Sequence, residues 1–368
     1  MCDHIPSQSS TTPAHRSADP SAARLNPANA PSPEHSHGRW STPISRIRLE
    51  GADALRFLHG QSSQAIELAR PGDCLATCLI SPTGRMRALA LVCVDDAGAD
   101  LLVLAGEGAA VHQALDRVLF PADQVRLSAP VPATLVRWLG SGAGAPTTEH
   151  ISEPTSDPRL LHPGVDLGAG ADQPALLLAD GENLPPWLAA LPELPWEQVE
   201  RLRLRQGFPA APAELNDDTN PFELGLADWV SLSKGCYVGQ ETLAKLATYD
   251  GVKQQLRHWR APRTGPAAAD ACAPGTPLST TAGGRAGVIT SVLSGPEGLE
   301  GLALVRRQAL NEPELVVASP ADGGSTSAIH LQISVPAGFT PPPVGAGGAG
   351  SAGSAVRTDG TTKPTPSA

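Results

Sequence analysis

Ser233-Lys-Gly-Cys-Tyr-Val-Gly-Gln-Glu241 gathers a cation, a thiol, a phenol, an amide and a carboxylate around two glycines. Glycine allows a ligand to lie close against the main chain and permits positive φ, so the flanking groups can converge on a bound molecule. Gln240 and Glu241 offer hydrogen-bonding edges and Tyr237 a face for stacking, a set suited to a fused heterocycle with amide and amine groups. Lys234 would favour the thiolate of Cys236 if the two lie close in space. These residue types make Cys236 the candidate reactive, catalytic group, with Lys234, Gly235, Tyr237, Gly239, Gln240 and Glu241 as candidate cofactor-binding residues. Spacing alone favours a blander reading, an ordinary turn ahead of a helix beginning near Gln240. Upstream, Glu223 beside Pro221 and Phe222 either reaches the same ligand or caps the turn before Leu224, whereas Asp217 and Asp218 read as a solvated turn.

Outward from this segment, a helix over Trp196 to Gln206 is predicted, with Pro195 before it and Gly207 after it. Near the start of the folded region, Ile47 and Leu49 alternate with Arg46 and Arg48 as a short strand, and a helix from about Ala52 to His59 follows, stopped by Gly60. Ala76–Ile80 and Met86–Val94 read as a hairpin around Ser81-Pro-Thr-Gly84, with Met86, Ala88, Ala90, Val92 and Val94 on one face. Leu101–Leu104 reads as a further strand, and Val111, Leu115, Val118 and Leu119 as the apolar stripe of a helix. Residues 140–175 are Gly/Pro-rich and read as loop. Beyond Gln254, short alternating runs at Leu256–Trp259, Ala286–Val292, Leu302–Val305, Leu315–Ala318 and Ile329–Val335 suggest a small all-β barrel or sandwich. Strands and helices mix without a βαβ rhythm, so the expected class is α+β.

The divisions expected are a disordered tail over 1–40, a ligand-binding region of two interleaved α+β domains over 41–250, a β-barrel domain over 251–335 and a disordered Gly/Pro/Ser tail over 336–368. The chain has 368 residues, of which 41% are apolar and 17% charged, with a formal net charge of −10. That balance argues against a general binder of duplex nucleic acid, which needs a basic surface, and leaves room for a local basic patch. Six scattered cysteines fit a reducing cytoplasm better than a disulfide framework. Cys74 and Cys78 lack a second pair or a histidine at zinc spacing, so no metal site is assigned and core packing is expected. No apolar run is long enough for a membrane span.

The quoted string resembles, without a gap, the K-G-C-[FY]-x-G-Q-E signature of the YgfZ family, a branch of the glycine-cleavage T-protein superfamily. Arg205-Gln-Gly-Phe-Pro209 and the stretch from Glu214 to Leu226 are similar to its R-x-G-x-P and E-x-x-x-x-x-x-P-x-E-x-G-L patterns. Phe57-Leu-His-Gly-Gln61 resembles F-L-Q-G-Q, and Ser81-Pro-Thr-Gly-Arg85 resembles D-x-x-G-R. Gly283–Ser291 and Leu302–Arg306 are similar to patterns of the family's C-terminal barrel, so the likeness runs over roughly residues 44 to 320. It implies a three-domain ring with a C-terminal small β-barrel and tetrahydrofolate, or a one-carbon derivative, over a central opening. It further implies a role in assembling or repairing iron–sulfur clusters, including those of tRNA-modifying enzymes, with iron–sulfur proteins as partners; a cytoplasmic monomer is expected.

The rival within the superfamily is the aminomethyltransferase of glycine cleavage, which carries an acidic pair in a G-G-x-x-D-D pattern. Here Gly84-Arg-Met-Arg-Ala-Leu89 puts Ala88 and Leu89 in those places, and alanine transfers no proton. That enzyme's R-L-E-A-G stretch is similar to Leu204-Arg-Gln-Gly207, with Arg205 at the acidic position. The chain also departs from YgfZ, with Ser63-Gln-Ala65 where T-N-D is usual. A third reading is an enzyme that uses Cys236 as nucleophile with His59 or His258 as base; nothing in the sequence brings either histidine to the thiol.

Overall fold

Thirteen residues from Gly38 to Glu50 form β1, the strand from which the first sheet is built. In the computed structural model the described residues are 37–140, 159–170, 173–262, 266–320 and 326–344. Most of the tail read over 1–40, residues 141–158 of the loop and the chain after 344 lie outside them. After β1 come α1 (Ala54–Gln61), β2 (Cys74–Ile80), β3 (Met86–Asp95), β4 (Gly98–Ala105) and α2 (Gly108–Asp116). β5 (Arg126–Leu127), β6 (Val131–Leu139), β7 (Leu160–Leu161), β8 (Ala175–Ala179) and α3 (Pro186–Ala189) complete this region. Then follow α4 (Trp196–Gln206), α5 (Gln240–Thr248), β9 (Gln254–Pro262), α6 (Pro266–Ala271), β10 (Pro277–Ser279), β11 (Arg285–Gly295), β12 (Gly298–Arg306), β13 (Glu314–Pro320) and β14 (Thr326–Ser334).

The first eight strands make one antiparallel sheet in the order β2-β3-β4-β1-β6-β8-β7, with β5 beside β1. The length of β1 lets Ser45–Glu50 pair with β4 while Gly38–Arg46 pair with β6. Its arginines sit opposite carboxylates: Arg46 forms a two-pronged bond to Asp100 at 2.9 Å, and Arg48 one to Asp95 at 2.7 Å. Both sheet faces are covered. Ile47, Leu49, Ala88, Ala90 and Val92 pack with Leu58 of α1 on one side, whereas Ile44, Leu89, Leu91, Leu102 and Leu135 pack with Phe222, Leu224 and Trp229 on the other.

Met86 departs from the predicted face. Leu79 pairs with Ala88 but Ile80 pairs with Met86, so Arg87 is an extra residue in the hairpin. A one-residue bulge reverses the side chains beyond it, and Met86 joins Leu89 and Leu91 rather than Ala88. Four strands of this sheet escaped the sequence reading: the two-residue β5 and β7, the latter inside the stretch read as loop, and the longer β6 and β8. β6 carries Pro132 and an arginine inside an apolar run, which hides its alternation, and β8 reads Ala-Leu-Leu-Leu-Ala, which has no period at all. The α2 stripe stops early: Val118 and Leu119 follow in a looser turn bonded to Leu115 and Asp116, and Val118 is exposed.

The last six strands close into an antiparallel barrel, β10-β11-β12-β9-β14-β13, as expected apart from the three-residue β10 and the short α6. Inside it, the fully buried Trp259 donates its indole N–H to the Leu302 carbonyl at 3.1 Å. Gly301 makes room for that ring, since a Cβ there would lie 2.7 Å from the indole and 1.9 Å from the Ser291 carbonyl oxygen.

The tail boundaries need correction at both ends. Gly38–Trp40 belong to β1, and the chain from Pro336 to Thr340 docks instead of trailing away. Ala337 and Gly338 donate to the Arg205 and Gln206 carbonyls, satisfying the last turn of α4. Phe339 packs against the large core and stacks on Arg257, whose Cζ is 5.2 Å from the ring centroid.

Where α4 crosses the barrel, Glu300 of β12 meets Arg201 at 2.5 Å, Arg205 at 3.4 Å, His258 at 3.4 Å and Arg260 at 3.7 Å. Burial works to raise this carboxyl, but bonds to His258 and Arg201 and the charge of Arg205 outweigh it and bring it down from 4.5 to about 2. A carboxyl lowered by folding stabilises the native state above its unfolded value and ceases to do so as pH falls toward its folded one. Denaturant unfolding between pH 6 and 2 is therefore expected to show roughly 3 kcal/mol of stability lost through this group as pH drops from about 5 to 2. The Glu300→Gln variant, less stable at pH 6, should show a correspondingly shallower fall.

Candidate functional site

The signature loop is held by its lysine. Lys234 is buried, and its Nζ reaches the carbonyl oxygens of His59, Ser62 and Gln64 at 2.5, 2.7 and 2.7 Å. Burial draws the group down to about 7. Three acceptors at these distances each take one proton, and a neutral amine has only two, so the geometry calls for the ammonium. This cation sits at the C-terminal end of α1, where carbonyls lack intrahelical partners. Ser62 adds its hydroxyl to the Leu58 carbonyl at 2.8 Å. The helix therefore runs through Gly60 to Gln61, and the predicted glycine stop is replaced by a serine and a lysine from a distant segment.

The other signature residues are divided among separate tasks. Tyr237 is buried with Lys234 Nζ 4.5 Å from its ring centroid, and burial raises its phenol well above the ordinary value. Its hydroxyl has no partner among the described residues. Gly239, at φ 81°, begins α5, and a Cβ there would lie 2.6 Å from the Ser81 carbonyl oxygen. Gln240 donates to the Lys234 carbonyl at 3.3 Å, closing the loop on itself. Glu241 is exposed and pairs with Lys245 one turn along at 2.7 Å. Glu223 is buried, accepts the Asn220 N–H at 3.1 Å and bonds through its own carbonyl to the Leu256 N–H, so it caps its turn and ties it to β9. Cys236 and Gly235 are exposed.

The loop is expected to wall a ligand space; in the structure its lysine, glutamine and glutamate are bonded within the protein and its cysteine is exposed. A cavity of about 1340 Å³ is lined by residues of both cores, Met86, Leu167 and Leu215 of one and Leu79, Val111 and Leu115 of the other, and of the signature string only Val238 lines it. Its walls come from Trp40, Met86, Arg137, Arg203, Phe208 and Leu215, with Val199, Glu200 and Leu202 completing the face of α4. Arg203 is fully engaged there: Glu200 grips it at 2.6 and 2.8 Å, the Phe208 carbonyl accepts at 2.8 Å and Ser291 at 3.0 Å. The fully buried Glu214 lies 3.4 Å away and accepts the Ser291 hydroxyl at 2.7 Å. Asp217 pairs with Arg87 at 2.8 Å at an exposed edge, in keeping with a solvated turn.

None of these cavity residues was singled out from the sequence. The available signals were an arginine inside the apolar run Leu135-Val-Arg-Trp138 and the Arg201, Arg203, Arg205 alternation on α4. At 100° per residue that alternation sends Arg203 to the cavity and the outer two to the barrel.

Neither histidine supplies a base for Cys236. A Cβ on Gly235 would lie 3.9 Å from His59 Nε2, so the ring is next to the loop. Its Nδ1, however, accepts the Glu67 N–H at 3.1 Å, which leaves the proton of the neutral ring on Nε2. Burial and the charge of Lys234 lower its pKa further. His258 stands apart at the α4–barrel seam. Cys74 and Cys78 are buried in the large core as expected.

No family model matches the chain. A protein of Arabidopsis thaliana, "Putative transferase At1g60990, chloroplastic", is 30% identical over 288 residues, covering 72% of this chain. The chain spans 64% of that relative's length. Among solved structures, glycine cleavage system aminomethyltransferase T from Bartonella henselae matches with a TM-score of 0.59 at 17% identity, over 84% of this chain and 88% of that one. The chain thus has a T-protein-like α+β fold with a closed C-terminal barrel. Among the described residues no helix is long and apolar enough to cross a membrane.

Removing the lysine clamp tests the role assigned to it. Lys234→Ala leaves three carbonyls without their donor, two of them partly buried, and is expected to cost roughly 2–4 kcal/mol in urea unfolding. Cys236 should also be alkylated faster in native buffer once the loop is released. Parent-like stability and alkylation would show that the clamp does not hold the loop.

Proposed function

We propose that this protein is a YgfZ-type, tetrahydrofolate-binding accessory factor in iron–sulfur cluster assembly or repair, supporting enzymes such as those that modify tRNA. The folate, in whatever one-carbon state, occupies the central cavity, and the Cys236 thiol is presented outside it. The observation that carries this reading is the cavity: about 1340 Å³, ample for a folate, with an indole plane, apolar walls and arginine donors, set within a T-protein-like fold. Likeness to a chloroplastic transferase agrees with a ligand of the group-transfer kind.

Aminomethyl transfer is the weaker alternative. Ala88 and Leu89 are fully buried in the two cores flanking the sheet, and Arg205 turns away to Glu300. Two of the cavity's carboxylates are already taken, Glu200 by Arg203 and Asp217 by Arg87, and Glu107 is exposed. Among the described residues no carboxylate of the cavity stands ready as a proton acceptor for that chemistry.

A solvent-facing thiol on a loop fixed by Lys234 is open to a partner protein in a way that a thiol inside the cavity is not. Client cluster proteins are accordingly placed against this surface, with the factor itself a cytoplasmic monomer. Calorimetric titration with tetrahydrofolate should give equal affinity for the parent and Cys236→Ala proteins, while only the parent restores cluster-enzyme activity in cells lacking the factor. No heat from the parent would remove the folate reading, and equal rescue by the variant would remove the role of the thiol. Robust turnover in a glycine-cleavage assay would favour the transferase instead.

A further inference from the structure

We infer that the ligand of the central cavity carries a carboxylate, and that Arg137 receives it beside the indole of Trp40. The inference rests on the folate reading of the cavity and assigns the glutamyl end of that ligand to the corner between β1 and β6.

Arg137 stands in an apolar strand. Val136 and Trp138 point into the small core that includes Leu176 and Leu188, whereas Ala133 and Leu135 face the large core, so alternation puts Arg137 on the cavity side. Trp40 is its direct partner in the β1–β6 register, and the guanidinium carbon lies 5.1 Å from the indole centroid. Nη1 donates to the Leu167 carbonyl and Nη2 to the Thr42 hydroxyl at 2.5 Å, while Nε has no partner among the described residues. A guanidinium has five N–H donors; two of these are used.

The charge is also unmatched. Arg203 and Arg87, on the same cavity, are paired with Glu200 and Asp217, and Arg117 is exposed. Arg137 makes no ion pair among the described residues. Asp166 acts on it through space, but its Oδ1 is taken by the Gly168 and Gly170 N–H groups at 2.7 and 2.8 Å. Burial lowers the guanidinium to about 10, which leaves it charged at neutral pH. A cation withdrawn from water without a counter-charge is unfavourable. A ligand carboxylate would supply the charge and accept the unused Nη protons, and the planar fork of arginine suits that geometry.

Three probes separate this inference from the reading beneath it: tetrahydrofolate, 4-aminobenzoylglutamate as the tail alone, and 6-methyltetrahydropterin, which has no carboxylate. Each is titrated calorimetrically into the parent, Arg137→Met and Arg137→Lys proteins, with thermal unfolding recorded as a check of folding. The Met variant is expected to bind tetrahydrofolate roughly 10- to 100-fold more weakly, to lose the tail probe and to bind the pterin as the parent does, with Lys intermediate. Parent-like binding of tetrahydrofolate by a folded Met variant overturns the inference, as does an equal loss of pterin affinity, which would mark Arg137 as structural. Should the Met variant not fold, the Lys variant decides: weaker tetrahydrofolate with unchanged pterin supports the inference, and unchanged tetrahydrofolate refutes it. If the parent binds only the tail, the carboxylate site stands and the folate reading falls; if it binds none of the three, both fall.

Discussion

Glu300 is withdrawn from water where α4 meets the barrel, and a carboxylate in that position has to be met by opposite charge. Arg201 and Arg205 meet it from the helix and Arg260 from β9, with the His258 ring, whose pKa burial lowers, beside them. A buried pair of this kind is costly to break, because the survivor is left charged in a poor solvent. The joint therefore fixes which face of α4 turns to the barrel and which remains for the cavity. Arg203, half a turn round from those two, lines the cavity with Glu200 while also reaching Ser291 of β11 and the buried Glu214. The last turn of the same helix is completed by Ala337 and Gly338, so the chain after the barrel returns to the joint that orients it.

A similar logic governs the thiol loop. Its cation is spent on the open end of α1, its phenol on packing beside that cation, and Gly239 on a left-handed start to α5 under the Ser81 carbonyl. A lysine engaged in this way has no donor left for a ligand, and Cys236 is exposed. The proposed division of labour follows, with a small molecule bound in the cavity and a protein partner met outside it. Charge separates the two regions as well: among the cavity's cations Arg203 and Arg87 are matched by carboxylates and Arg137 is not.

Much of the architecture was legible because it depends on local pattern. The α4 boundaries followed from Pro195 and Gly207, the hairpin from alternation around Ser81–Gly84, and the barrel from glycine-spaced short runs. Where the pattern was overwritten, the reading failed for a physical reason in each case. A bulge at Arg87 turned Met86 to the other face, an arginine inside β6 masked its alternation, and a lysine some 170 positions away took over the helix end that Gly60 was expected to close.

The sequence by itself determined that this is an α+β chain ending in a barrel, and that the octapeptide from Lys234 to Glu241 is its most distinctive segment. Those properties rest on periodicity and on residue identity, both of which are local. Only the tertiary structure decided what that segment does, since burial and pairing depend on groups brought together from far along the chain. It placed the lysine as a clamp, the thiol in water and the cavity on the opposite face of α4, where Trp40, Arg137 and Arg203 converge from two strands and a helix that no spacing in the sequence relates.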